Sequence, residues 1–130
     1  MSLKILLIDD DPDIREVLAR GLERAGFAVV VAGDGREGLR LVEGDAFDLV
    51  VTDIFMPDIE GIETILSLRK SHPDLPVIAM SGGGRVTDKD FLPAAERLGA
   101  KKVMQKPFMP SDLVQAVQDV LSTVSEDKNG

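Results

Sequence analysis

A doubly wound α/β fold on a five-stranded parallel sheet is predicted by three observations. Short apolar runs alternate with longer segments of helical period, the alternation repeats five times along 130 residues, and the runs are mostly Val, Ile and Leu. Strands that read as continuously apolar are covered on both faces, so helices lie on both sides of the sheet.

The elements follow in chain order. The first strand is read as Leu3 to Ile8. The helix after it places Ile14, Val17, Leu18, Gly21, Leu22 and Ala25 on one stripe, with Asp13, Glu16, Arg20 and Glu23 opposite, the pattern of an amphipathic helix packed on a sheet. The second strand, Phe27 to Ala32, is expected at an edge, and the second helix opens at Asp34 with Glu37 three residues on, a capping-box arrangement. Asp48 to Thr52 forms the third strand and Ile59 to Ser71 the third helix. Pro76 to Met80 forms the fourth strand, followed by a long loop from Ser81 to about Phe91 and a short helix starting near Leu92, because Pro93 suits a first helical turn. Lys102 to Gln105 is the fifth strand. Pro110 then opens a last helix carrying Leu113, Val117, Leu121 and Val124. Residues 1–124 are read as one domain and Ser125 to Gly130 as a polar tail without regular structure. For five strand-helix units of this length the common order is the flavodoxin-like 2-1-3-4-5.

Composition narrows the function classes. At 44% hydrophobic the chain supports one core, and no apolar run approaches the ~20 residues of a membrane span. The Met1 end lacks a basic, apolar, cleavable signal, so a cytoplasmic location and no membrane partner are expected. There is no cysteine, which excludes disulfides, thiolate metal sites and a cysteine nucleophile. A net charge of −8 argues against nucleic acid as a direct partner, because neutralising phosphates needs clustered Lys and Arg.

The polar residues then fall in one place. The first strand runs into Asp9 and Asp10, the third into Asp53, the fourth into Ser81 and the fifth into Lys106. All lie at carboxyl ends, and in the order 2-1-3-4-5 those ends form one crevice at the topological switch point. Two unit charges ~4 Å apart interact by ~4 kcal/mol at the effective dielectric of a protein surface, so three clustered carboxylates require a cation. All-oxygen ligands with positions left for water and a phosphate oxygen suit Mg2+, or Mn2+, better than a closed Ca2+ cage. With Lys106 the ion balances the three carboxylates, and a phosphoryl group can then approach Asp53 as nucleophile.

Taken singly, these residues have plainer readings. Asp11, before Pro12, is read as a helix cap, Ser81 alone is a turn residue, and Lys106 alone is a solvated loop lysine. Their joint placement carries the inference. The run Ser81-Gly82-Gly83-Gly84 lacks the spacing and the Lys-Ser/Thr ending of a P-loop, and His72, the only histidine, is read as a surface loop residue.

The fragments ILLIDDD, DLVVTDIFMPDIEG, VIAMSG and KPF, in this order, resemble response-regulator receiver domains of two-component systems over roughly Leu3 to Thr123. The resemblance implies that Asp53 accepts a phosphoryl group from a histidine kinase or histidine phosphotransfer protein. It also implies that Asp10, Asp53 and the backbone carbonyl of Phe55 bind Mg2+, with Asp9 assisting through water or directly. Ser81 would bond a phosphoryl oxygen, Lys106 would pair with the phosphoryl group or with Asp53, and Pro107 would be a cis proline holding this lysine. Output would be a changed contact with a downstream protein, and the only chemistry catalysed would be the chain's own phosphorylation and dephosphorylation.

Three departures stand out: Val103 occupies a position where receivers usually carry Tyr or Phe, the loop after Ser81 is long, and Phe55 is an apolar residue at a position that tunes dephosphorylation. Two alternatives remain at this point. Asp9-Asp10-Asp11 imitates the DxD nucleophile of haloacid-dehalogenase-like phosphatases, and Val103 fits a receiver-like interaction module that is not phosphorylated.

Overall fold

Successive side chains of a strand point to opposite faces, so an uninterrupted apolar strand feeds two cores at once. The first strand does this: Leu6 and Ile8 enter one core, Ile5 and Leu7 the other, all fully buried. The computed structural model describes residues 2–54, 60–81 and 99–129. Within them lie strands β1 (Lys4–Ile8), β2 (Ala28–Ala32), β3 (Leu49–Asp53), β4 (Val77–Ser81) and β5 (Lys102–Gln105), with helices α1 (Pro12–Arg24), α2 (Gly35–Gly44), α3 (Glu60–Ser71) and α4 (Pro110–Asn129). All pairings are parallel and the order is β2-β1-β3-β4-β5, as expected, with β2 at one edge and β5 at the other.

Helices cover both faces. On one, Leu6, Ile8, Val50 and Ala79 pack with Val42 of α2 and with Ile65 and Leu68 of α3. On the other, Leu7, Val51, Ile78 and Met80 pack with Leu18 and Leu22 of α1 and with Leu113, Ala116 and Val117 of α4. Gly38 brings α2 close to β1, since a Cβ there would stand 2.4 Å from Ile8 Cδ1.

Local chemistry sets the helix ends. Asp11 caps α1, its Oδ1 accepting from the N–H groups of Asp13 (3.0 Å) and Ile14 (3.3 Å), with Pro12 as first helical residue. At the far end Gly26 adopts φ 99°, and the bonds Gly26 N–H to Glu23 O (3.0 Å) and Phe27 N–H to Leu22 O (3.1 Å) form a Schellman closure. Asp34 caps α2 through Glu37 N–H at 2.8 Å. At the start of α4, Asp112 reaches back to the N–H of Met109 at 2.9 Å.

Four features differ from expectation. Val17 is 54% exposed, not part of the buried stripe. Successive helical residues are about 100° apart, and Ile14, Leu18 and Leu22, with Ala19 beside them, fill the seam against the sheet, which turns Val17 toward the turn after β5. Ala25, also assigned to the stripe, is exposed at the C-cap. The polar end is not irregular: α4 continues to Asn129, because no Gly or Pro interrupts it before Gly130. Finally, β3 and β4 each extend one residue further, to Asp53 and Ser81, whose register partners are Met80 and Gln105. The expected short helix near Leu92 and the loop before it lie outside the described residues.

Candidate functional site

The parallel register brings the carboxyl ends of β1, β3 and β4 level, with Ile8 opposite Thr52 and Asp53 opposite Met80. The polar residues that follow each strand therefore meet. Asp9 leaves β1 fully buried, and its polar atoms are held from several sides. Its N–H donates to Ala32 O at 3.1 Å, its Oδ1 accepts from Asp11 N–H at 2.9 Å, and its Oδ2 accepts from Lys106 Nζ at 2.7 Å. The same ammonium donates to Asp53 Oδ2 at 3.0 Å, and Asp53 is only 4% exposed. Asp10 is exposed, and its carboxylate accepts no hydrogen bond from the described residues. One carboxylate oxygen from each of Asp9, Asp10 and Asp53 lies within 4.8 Å of the others.

Lys106 reaches this cluster because β5 stays paired to β4 up to this point, its N–H donating to Ser81 O at 2.7 Å; the Lys106–Pro107 peptide that follows is cis. Burial alone would lower the affinity of its ammonium for the proton. The hydrogen bond to Asp9 and the charge of Asp53 outweigh this and hold the group above its ordinary value of 10.5. One ammonium against three carboxylates still leaves the cluster anionic, and a hard divalent cation is the complement. Three carboxylate oxygens within 4.8 Å of one another form an all-oxygen set that a hard divalent ion such as Mg2+ would draw together. Asp9, Asp10 and Asp53 therefore fit a divalent metal.

Ser81, at the end of β4, is fully buried, and its Oγ has no hydrogen-bond partner among the described residues. A buried hydroxyl without a partner carries a desolvation cost that a bound oxygen relieves. Val103 pairs with Ala79 in register, is half-buried against the core, and supplies no hydroxyl that reaches Ser81. Phe55, expected to lend its carbonyl to the metal, lies outside the described residues. His72 stands at the opposite end of the sheet, before β4, with Ser71 Oγ at 2.9 Å from its Nδ1. Asp11 is committed to capping α1, which removes the second carboxylate of a DxD pair.

Sequence reasoning placed these residues together but missed two bonds. Lys106 was expected to pair with Asp53, and it holds Asp9 of the next strand over as well, its ammonium donating to both carboxylates. Arg15 was not singled out, yet its Nη1 donates to the backbone O of Asp9 at 2.9 Å. The available signal was a cation one turn into the helix that follows three aspartates.

The chain is similar to known proteins over most of its length. The profile of the response regulator receiver domain matches residues 5–118. Over 127 residues the chain is 35% identical to the response regulator MprA of Mycolicibacterium vanbaalenii, covering 98% of this chain and 54% of that protein. It is 38% identical over 118 residues to the transcriptional regulatory protein CpxR of Escherichia coli, covering 91% of this chain and 49% of that one. A crystal structure of a CheY-like response regulator receiver domain protein from Methanospirillum hungatei superposes with a TM-score of 0.87 at 29% identity, covering 98% and 99% of the two chains. The chain thus spans about half the length of the curated relatives it matches. One of these is named a transcriptional regulator, so the expectation of no nucleic-acid partner is confined to these acidic 130 residues. No helix among the described residues is long and apolar enough to cross a membrane. Receiver domains are signalling modules rather than enzymes acting on a separate substrate, and the chain belongs to the response regulator receiver domain family.

Proposed function

We propose that this chain is a phosphorelay receiver that takes a phosphoryl group onto Asp53 from a phosphohistidine of a histidine kinase or histidine phosphotransfer protein, in a Mg2+-dependent step for which Mn2+ substitutes. The observation that carries this is the buried Asp53 carboxylate, held by Lys106 at 3.0 Å beside the oxygens of Asp9 and Asp10. A carboxylate oxygen of Asp53 attacks phosphorus, the P–N bond of the donor breaks as the P–O bond forms, and the departing imidazole keeps the bonding pair and takes up a proton. When bound, the divalent ion neutralises charge on the phosphoryl oxygens.

The chain's own groups do the rest. Lys106 would shield the approach of an anion to Asp53, Pro107 would hold the turn that carries this lysine, and the Ser81 hydroxyl, buried without a partner among the described residues, would donate to a phosphoryl oxygen. Phosphorylation adds about −1.5 to −2 charge, which gives Ser81 and Lys106 a new acceptor and biases the domain toward a second conformation read by a downstream protein. Val103 in place of an aromatic residue means that this bias passes without a ring hydroxyl. Beside the site, Ile14, Val17, Pro107 and Phe108 line an apolar groove, with Met109 65% exposed next to it. This surface suits a protein donor that must bring its histidine to Asp53. Residues 1–124 would act as the receiver unit, in the cytoplasm, with 125–130 leading away from it.

The test is intact mass after incubation with Mg2+ and acetyl phosphate. One phosphoryl group is expected on the native chain, none on Asp53→Asn and none with EDTA. A native chain that takes up no phosphate from acetyl phosphate or from a partner kinase would favour an interaction module that works unphosphorylated.

A further inference from the structure

We propose that Arg15 is a positioning residue for the metal site, its guanidinium fixing the peptide between Asp9 and Asp10 from a space left by the missing side chain of Gly33. The inference rests on reading the acidic cluster as a divalent-cation site.

Three observations lead to it. Asp10 is the exposed member of the cluster, and among the described residues nothing holds its carboxylate, so its direction follows from the backbone. That backbone has few anchors: Asp9 N–H bonds Ala32 O, Asp11 N–H bonds Asp9 Oδ1, and the carbonyl between Asp9 and Asp10 accepts from Arg15 Nη1 at 2.9 Å. Without this last bond the peptide plane that aims Asp10 is free to tilt. Gly33 supplies the room. A Cβ on it would stand 3.2 Å from Arg15 Nη1 and within 4 Å of no other described atom outside its chain neighbours. The guanidinium is thus the one described group beyond its chain neighbours that a side chain at Gly33 would crowd. A planar, permanently charged donor from the second turn of α1 links β1, the metal-binding turn and the end of β2.

The test measures Mg2+ affinity calorimetrically for the full chain. Arg15→Ala is expected to weaken binding roughly tenfold, Arg15→Lys to recover part of the loss, and Gly33→Ala to weaken it about twofold by displacing the guanidinium. The double variant should bind as Arg15→Ala does, because the added methyl then meets nothing. Val42→Ala, which opens the core under α2, is the control: it lowers the melting temperature and leaves Mg2+ affinity unchanged. An Arg15→Ala variant with native affinity, or a Gly33→Ala effect that persists undiminished without the arginine, overturns the proposal. A native chain that binds no Mg2+ overturns the divalent-site reading instead. Amide exchange at Asp11 in the metal-free protein, expected about tenfold faster in Arg15→Ala, still reports whether the guanidinium pins the turn.

Discussion

The two ends of β1 carry lysine-carboxylate clusters of opposite character. At the amino end Lys4 pairs with Asp45, its backbone N–H donates to Asp48 Oδ2 at 2.7 Å, and its ammonium lies 5.3 Å from the centre of the Phe47 ring. The side chains of Lys4 and Asp45 are 33% and 46% exposed. At the carboxyl end Lys106 pairs with Asp9 and Asp53, whose side chains are 0% and 6% exposed. The first cluster is a staple whose charges water screens, so its contribution is small and salt-dependent. The second is largely buried and over-acidic, and its excess negative charge is what a divalent cation would offset. Burial, rather than the identity of the paired residues, separates a structural ion pair from a chemical one.

Removing the lysine from each cluster should expose that difference most sharply. Lys106→Met leaves two buried carboxylates facing one another and is expected to cost about 3–5 kcal/mol in metal-free urea unfolding, whereas Lys4→Met should move the midpoint far less. Equal shifts would mean that the two clusters do the same work. Next in size is the ion itself. Mg2+ at a hundred times its dissociation constant should stabilise the native chain by about 2.7 kcal/mol, seen as a rise in melting temperature that EDTA reverses and Asp10→Asn abolishes. Smaller again is the cap between cluster and helix: Asp11→Ala should cost about 1 kcal/mol while leaving the phosphoryl mass adduct intact.

The smallest effects are in pH dependence, and they run in opposite directions. Lys106 is held above 10.5, so its contribution is complete below that value and is lost as pH rises through the raised one. Asp45 is held below 3.8, first by its hydrogen bond from Lys4, so its contribution is present above 3.8 and is lost as pH falls through the lowered value. Stability curves of metal-free Lys106→Met and of Asp45→Asn should flatten at the alkaline and the acid limb respectively, and an alkaline limb unchanged in the first or an acid limb unchanged in the second would contradict these assignments.

How legible the site was in the sequence depended on what set each residue. Strand ends followed from apolar runs, and with the order 2-1-3-4-5 they brought Asp9, Asp53, Ser81 and Lys106 to one edge. The cap at Asp11 was legible because Pro12 marks the first helical turn. Residues set by tertiary geometry were not: Val17 obeys the helical period and still faces out, and the bond from Arg15 to the Asp9 carbonyl has no spacing rule behind it. The helical end of α4 is where sequence misleads: polar composition suggests irregular structure, yet Ser, Glu, Asp and Lys are all compatible with a helix.

The most direct test of the central claim is to locate the phosphoryl group. The Mg2+- and acetyl-phosphate-treated chain is reduced with borohydride, which converts an aspartyl phosphate to homoserine, and the residue changed is found by peptide mass spectrometry. Homoserine at position 53 alone is the predicted result, and homoserine at position 9 or 10, or a modification that persists in Asp53→Asn, would contradict the account.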